Sequence, residues 1–138
     1  MKKENSESLV LDSWSLLAYF KKEEGGFKVK KLLKRAEKGG VDLYLCLINW
    51  GEVYYQILRS FGRERLRRAT AVIEQSPIKL VEVDKELVTL AAEQKVVGGF
   101  SFADCFVIAT AQRFSAKIVT GDPDFKKVEK RVSIAWVG

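Results

Sequence analysis

Five carboxylic acids stand where an α/β chain would carry them toward one end of a sheet. Asp12 follows the apolar run Leu9-Val10-Leu11, while Asp122 and Asp124 lie in Thr120-Gly121-Asp122-Pro123-Asp124-Phe125, directly after Lys117-Ile118-Val119. Short apolar runs cut off by Gly, Asp and Pro read as buried strands that stop abruptly. Open α/β sheets place their ligands at the carboxyl ends of such strands. Glu52 and Asp104 stand three residues after Asn49 and Ser101, each among apolar neighbours: Trp50, Val53 and Tyr54 for the first, Phe102, Cys105 and Phe106 for the second. Each acid also has a local reading. Asp12-Ser13 leads into a helix and suits an N-cap, and the other two windows fit a capping box. Acids gathered at one sheet end repel, by about 4 kcal/mol per pair at about 4 Å and an effective dielectric near 20. Dispersal, proton uptake or a divalent cation relieves that repulsion.

The chain has no histidine. Ser-His-Asp and Cys-His catalysis, imidazole acid–base chemistry and His-ligated zinc are therefore excluded. No Gly-rich phosphate-cradling motif is present either. Any enzymatic chemistry must rest on carboxylates, hydroxyls, lysines or a metal, and an all-oxygen donor set suits Mg²⁺ or Mn²⁺. The hydroxyls of Ser13 and Thr120 can steer a metal-bound water or serve as cap and turn groups. Asp124 reads equally as an outer ligand or as the cap of a turn at Phe125. Cys46 and Cys105 have apolar neighbours and no ligand spacing, which reads as buried free thiols. The net charge of +6 suits a polyanionic partner or a solvated basic surface. Arg63, Arg65, Arg67 and Arg68 crowd into one helix start, where they can track a phosphate backbone or face solvent. Trp14, Tyr19, Phe20, Trp50 and Tyr54 read as core or interface rather than base-stacking platforms.

The elements that must position these groups alternate. Helices are expected from Ser13 as cap through Phe20, over 27–38, from Asn49 as cap through Phe61, over 63–75, from Asp84 as cap to about Val97, and from Ser101 as cap to Phe114. Residues 21–26 end the first of them. Strands are expected at 9–11, 43–47, 78–83, 117–120 and 132–137. Alternation of this kind implies a parallel sheet with helices on both faces. The expected fold is a three-layer α/β/α sandwich with a five-stranded parallel sheet, in one domain over 1–138. Strand order is not readable from periodicity. No apolar run approaches a membrane span. The N-terminal stretch, with Lys2, Lys3, Glu4 and Glu7, has no apolar signal-peptide region, so a cytoplasmic protein is expected.

Taken in order, Leu9-Val10-Leu11-Asp12-Ser13, Asn49-Trp50-Gly51-Glu52-Val53, the stretch from Ser101-Phe102-Ala103-Asp104 to Ala109, and Thr120-Gly121-Asp122-Pro123-Asp124-Phe125 resemble the motifs of PIN-domain nucleases. The similarity is to VapC-type toxins of prokaryotic toxin–antitoxin pairs in particular. The resemblance implies a five-stranded parallel α/β/α fold and Mg²⁺- or Mn²⁺-dependent endoribonuclease activity. It casts Asp12, Glu52, Asp104 and Asp122 as an acidic quartet, Asp124 as an auxiliary acid, and Ser13, Asn49 and Thr120 as accessory polar groups. It further implies a homodimer and a cognate antitoxin laid over the site. Gly121 stands where such proteins often carry a basic or polar residue. Single-stranded or looped RNA is the expected substrate, with Arg63, Arg65, Arg67 and Arg68 supplying attraction to its backbone. The rival reading is a non-catalytic PIN-like module that binds RNA or protein. A receiver-type phosphoacceptor domain fits less well, because Asp12 lacks an acidic neighbour and the last strands end without lysine.

Overall fold

The apolar runs form five strands, β1 (Glu7–Leu11), β2 (Val41–Cys46), β3 (Lys79–Val81), β4 (Lys117–Thr120) and β5 (Ile134–Trp136). They belong to a computed structural model that describes residues 7–138. Residues 1–6, on which the expectation about a signal peptide partly rests, lie outside the described residues. Every pairing is parallel, and the strand order is β3-β2-β1-β4-β5. Side chains alternate between the faces as the pleat requires. Leu9, Leu11, Leu43, Leu45 and Val119 point into one core, while Val10, Cys46 and Ile118 point into the other.

Four helices cover the first face: α1 (Ser13–Phe20), α2 (Glu24–Glu37), α3 (Leu47–Phe61) and α4 (Arg63–Gln75). Two cover the second, α5 (Lys85–Val97) and α6 (Phe102–Phe114). The α/β/α sandwich with a five-stranded parallel sheet is thus the fold found. No helix among the described residues is long and apolar enough to cross a membrane. Starting at β1, the chain builds outward through β2 to β3, then returns to lay β4 on the other side of β1 and β5 beyond it. The carboxyl ends of β1 and β4 therefore flank the point where strand order reverses, the crevice in which such sheets bind ligands.

Several boundaries differ from expectation. Helix α2 begins at Glu24, and the buried Gly25-Gly26 pair lies within it rather than in a terminating loop. A Cβ on Gly26 would stand 2.4 Å from the Ala18 carbonyl oxygen, so the missing side chain lets α2 close onto α1. Helix α3 starts at Leu47 with Cys46 at the cap position, three residues before the expected cap Asn49. The edge strands β3 and β5 are only three residues long, against the six expected for each, since each pairs on one side alone. Asp84 and Ser101 do cap α5 and α6, accepting the backbone N–H groups of Leu87 at 2.8 Å and Asp104 at 3.2 Å. Gly62, at φ +88°, turns the chain between α3 and α4 in a conformation that disfavours other residues.

Candidate active site

Asp12 leaves β1 and opens α1. Its Oδ1 accepts the Ser15 backbone N–H at 2.8 Å, and its own carbonyl accepts the Ser15 hydroxyl at 2.9 Å. Asp12, not Ser13, is therefore the cap, because the carboxylate at the strand end already reaches the first free N–H groups of the helix. Its Oδ2 accepts the hydroxyl of Thr120, at the end of neighbouring β4. Thr120 is itself fully buried and accepts the Asp122 N–H at 3.0 Å. Asp122 then accepts the Asp124 N–H at 3.0 Å and caps the short 3-10 helix Pro123–Val128. Asp124 does not cap that turn; it is exposed, with Lys127 Nζ 4.0 Å away. Phe125, fully buried and tilted against Phe100 at 5.5 Å, pins the whole turn to the core.

Glu52 and Asp104 approach from opposite layers. The Asn49 side chain joins them: Nδ2 donates to Glu52 Oε1 at 2.9 Å and to the carbonyl of Ala103, the residue before Asp104, at 3.1 Å. Asn49 thus straps α3 to α6 from inside the first turn instead of capping α3. The Asn49 Oδ1 is buried and has no hydrogen-bond partner among the described residues. Glu52, Asp104 and Asp122 line one predominantly polar cleft of about 410 Å³, which Ser13, Trp14 and Lys21 also border. Asp12, only 3% exposed, is not among the residues that line it.

Burial pushes the Asp12 carboxyl up to about 7, against the opposing hydrogen bonds from Thr120 and Ser15, and the charge of Asp104 adds to the rise. Asp104 is pushed up to about 6, first by burial, against a hydrogen bond from Ser101, and then by the charges of Glu52, Asp122 and Asp124. The acids therefore share one electrostatic field. Among the described residues no lysine or arginine forms an ion pair with Asp12, Glu52, Asp104 or Asp122. Nor do any three acidic or cysteine side chains among them close into a ready-made chelate. The site is a shared cleft, not a finished ligand cage. The donors are nonetheless the oxygen atoms that a hard divalent cation prefers, and Mg²⁺ commonly keeps several waters while taking only one or two carboxylates.

Not every expected residue comes to this cleft. Arg67 and Arg68 pair with Glu64 on their own helix, at 3.3 and 3.8 Å. Arg65 lies over the Phe61 ring at 4.5 Å, and with Arg68 it lines a separate apolar groove. Arg63 is exposed at the start of α4. Several cleft residues escaped the sequence reading: Glu23 and Gln56 and, on one face of α1, Trp14 as a wall and Lys21 as a cation. The signal for the last two was the spacing Trp14, Leu17, Ala18, Lys21, which lies on one helical face. Cys46 and Cys105 are buried and free, as expected, and burial pushes both thiols up.

A parallel α/β sandwich with carboxylates gathered at its switch point sets the class. The PIN domain family model matches residues 9–131, and the chain belongs to the PIN domain family. Solved structures of the same fold come from VapBC toxin–antitoxin systems. VapBC2 from Rickettsia felis, bound to a DNA fragment from its promoter, superposes with TM-score 0.72 at 12% identity, covering 94% of this chain and 98% of that one. VapC20 from Mycobacterium tuberculosis, described as a sarcin–ricin loop cleaving toxin, gives 0.69 at 17% identity over 87% and 94%. DNA-bound VapBC from Salmonella typhimurium gives 0.69 at 16% identity over 96% and 99%. No curated relative matches the sequence.

Proposed function

We propose that the cleft is the active centre of a divalent-metal-dependent endoribonuclease and that the chain is the toxin of a toxin–antitoxin pair. The observation that carries the reading is the gathering of Glu52, Asp104 and Asp122 in one polar cleft at the switch point, with no ion pair to a lysine or arginine among the described residues. Asp12, Glu52, Asp104 and Asp122 are the candidate ligands for Mg²⁺ or Mn²⁺, with Asp124 an outer acid. The unpaired Asn49 Oδ1 is a further oxygen acceptor behind Glu52. When bound, the metal supplies an activated water and offsets charge on the phosphodiester.

The chain's own groups set the stage for that chemistry. Ser15 and Thr120 fix the orientation of Asp12, and Thr120 passes the constraint on to Asp122 through its N–H. Asn49 holds Glu52 in place and ties it to the start of α6. Ser13 offers a hydroxyl at the rim, and Lys21 offers the cleft a cation for a backbone phosphate. The arginines of α4, remote from the acids, act only as long-range attraction for polyanionic RNA, an effect that weakens as salt rises.

The antitoxin partner has its own support. Two adjoining depressions that share Phe20 and Val72 form an apolar groove, extended by Phe27 and Phe61 and rimmed by Lys22, Lys30, Arg65 and Arg68. A groove of this composition suits an amphipathic segment bearing acidic residues. Exposed Val96, Val97 and Phe102, at 88, 64 and 46%, favour a homodimer contact beside α5 and α6. Light scattering that gave one chain's mass across micromolar concentrations would contradict the dimer.

The enzyme reading is tested by Mn²⁺-dependent cleavage of single-stranded RNA. Wild type should cut, and Asp12→Asn and Asp104→Asn should not. Equal rates for all three would overturn the nuclease assignment in favour of a binding module.

A further inference from the structure

Trp14 sits in the acid cleft in a seat that the chain leaves open by omitting two side chains. A Cβ on Gly121, the residue between Thr120 and Asp122, would lie 2.1 Å from Trp14 Cη2 and 2.3 Å from Cζ3. A Cβ on Gly25 would lie 2.9 Å from the same two atoms. The six-membered edge of the indole is therefore pressed against the backbone of both glycines, while the residue remains half-buried and borders the cleft. The indole also packs against the core of the first face, and its Nε1–H forms no hydrogen bond among the described residues. The other two tryptophans are engaged elsewhere: Trp50 packs on Tyr54, and Trp136 donates to Glu129.

An acidic cleft repels a polyanion, so a nucleic acid that enters it needs contacts whose strength does not depend on phosphate charge. An aromatic wall supplies one, because every base has a π-face and stacking tolerates any sequence. Lys21 lies two turns further along the same face of α1, about 10 Å up the axis, and can take a neighbouring phosphate.

We propose that Trp14 is the substrate-positioning wall of the cleft, stacking on an unpaired nucleobase of single-stranded RNA, and that Gly121 is required because it seats the indole. The inference deepens the ribonuclease reading and rests on it.

The test is binding of a fluorescein-labelled, mixed-sequence RNA 12-mer, measured by anisotropy with Ca²⁺ in place of Mn²⁺. Trp14→Phe should stay within about 3-fold of wild type. Trp14→Ala and Trp14→Leu should both weaken binding by about 5- to 150-fold, the range found when one stacked base loses its aromatic partner. Trp14→Leu keeps an apolar filler, and its unfolding midpoint shows whether the fold survives. A 12-mer with abasic sites should bind wild type as weakly as intact RNA binds Trp14→Leu, and that variant should not distinguish the two strands. Gly121→Ala should weaken binding in the wild-type background and have no further effect in Trp14→Ala. Wild-type affinity in a folded Trp14→Leu, or continued discrimination against the abasic strand, would overturn the proposal. If wild type still cuts RNA in Mn²⁺ in that case, only the Trp14 inference falls. If wild type neither binds nor cuts, both readings fall.

Discussion

Asp12 and Asp84 begin helices in the same way and end in opposite electrostatic states. Each lies just beyond a strand of the sheet, and each accepts the backbone N–H three residues on at 2.8 Å. Asp84 also takes the Arg113 Nη2 at 2.6 Å, while Glu86 takes the Arg113 Nε at 3.2 Å. Hydrogen bonding to Arg113 holds the Asp84 carboxyl below its usual range. Asp12 meets only the uncharged Ser15 and Thr120, and burial raises it to about 7. The two sites even share a helix, since α6 carries Asp104 in its first turn and Arg113 in its last. The fold pairs one acid group with its own guanidinium, whereas the other forms no ion pair with a lysine or arginine among the described residues. Capping chemistry is common to both, so the missing ion pair is what separates the two, and the proposed function rests on that difference.

The largest effect expected from that contrast is on activity. Asp104→Asn and Asp12→Asn should each lower Mn²⁺-dependent RNA cleavage by roughly 10²–10³-fold, the scale seen when one electrostatic catalytic group is removed. Single-turnover rates at saturating Mn²⁺ check this.

Stability should respond next, and with a defined sign. Between about pH 4 and 7 folded Asp12 still holds a proton that the unfolded chain has released, so stability falls as pH rises through that window. A rise of about 3 units corresponds to a loss on the order of 4 kcal/mol, and Asp104 acts in the same direction up to about pH 6. Urea unfolding in EDTA should therefore show a weaker protein at pH 8 than at pH 5, with a flatter profile in Asp12→Asn. Mn²⁺ at about 100 times its Kd should restore roughly 2.7 kcal/mol at pH 8.

Asn49→Ala should come third. It removes the bonds to Glu52 and to the Ala103 carbonyl, and with them the side-chain link between α3 and α6. Urea unfolding should show a destabilisation of about 1–3 kcal/mol, and cleavage should weaken because Glu52 loses its tether. Smallest of all should be Arg113→Gln. It unpairs exposed acids, so it should leave both RNA cleavage and Mn²⁺ affinity unchanged. A loss of activity there as large as in Asp104→Asn would erase the distinction between the two acid groups.

Much of the frame was legible because it depends on local pattern. The apolar runs ending in Asp12 and Thr120 announced β1 and β4, and Ser101 and Asp84 announced their helices. Asn49 was misread as a cap because a capping pattern describes neighbours in sequence, whereas its Nδ2 also reaches the Ala103 carbonyl 54 residues away. Gly25-Gly26 looked like a break because nothing local shows that α1 needs a close neighbour. Trp14 packs against the core as its aromatic neighbours suggested, but its place beside the cleft depends on Gly121, more than a hundred residues away. The Arg63–Arg68 cluster was visible as charge, but its distance from the acids follows from the length of α3, not from composition.

The central claim is that the cleft takes a divalent cation because Asp12, Glu52, Asp104 and Asp122 form no ion pair among the described residues. Calorimetric titration of the full chain with Mn²⁺ at pH 6.5, in two buffers of different ionisation enthalpy, tests it directly. Asp12, raised to about 7, still carries most of its proton there, so binding should release protons and give a buffer-dependent heat, and Asp104→Asn should bind more weakly. No binding at millimolar Mn²⁺, or binding unchanged in Asp104→Asn with no proton release, would contradict the account.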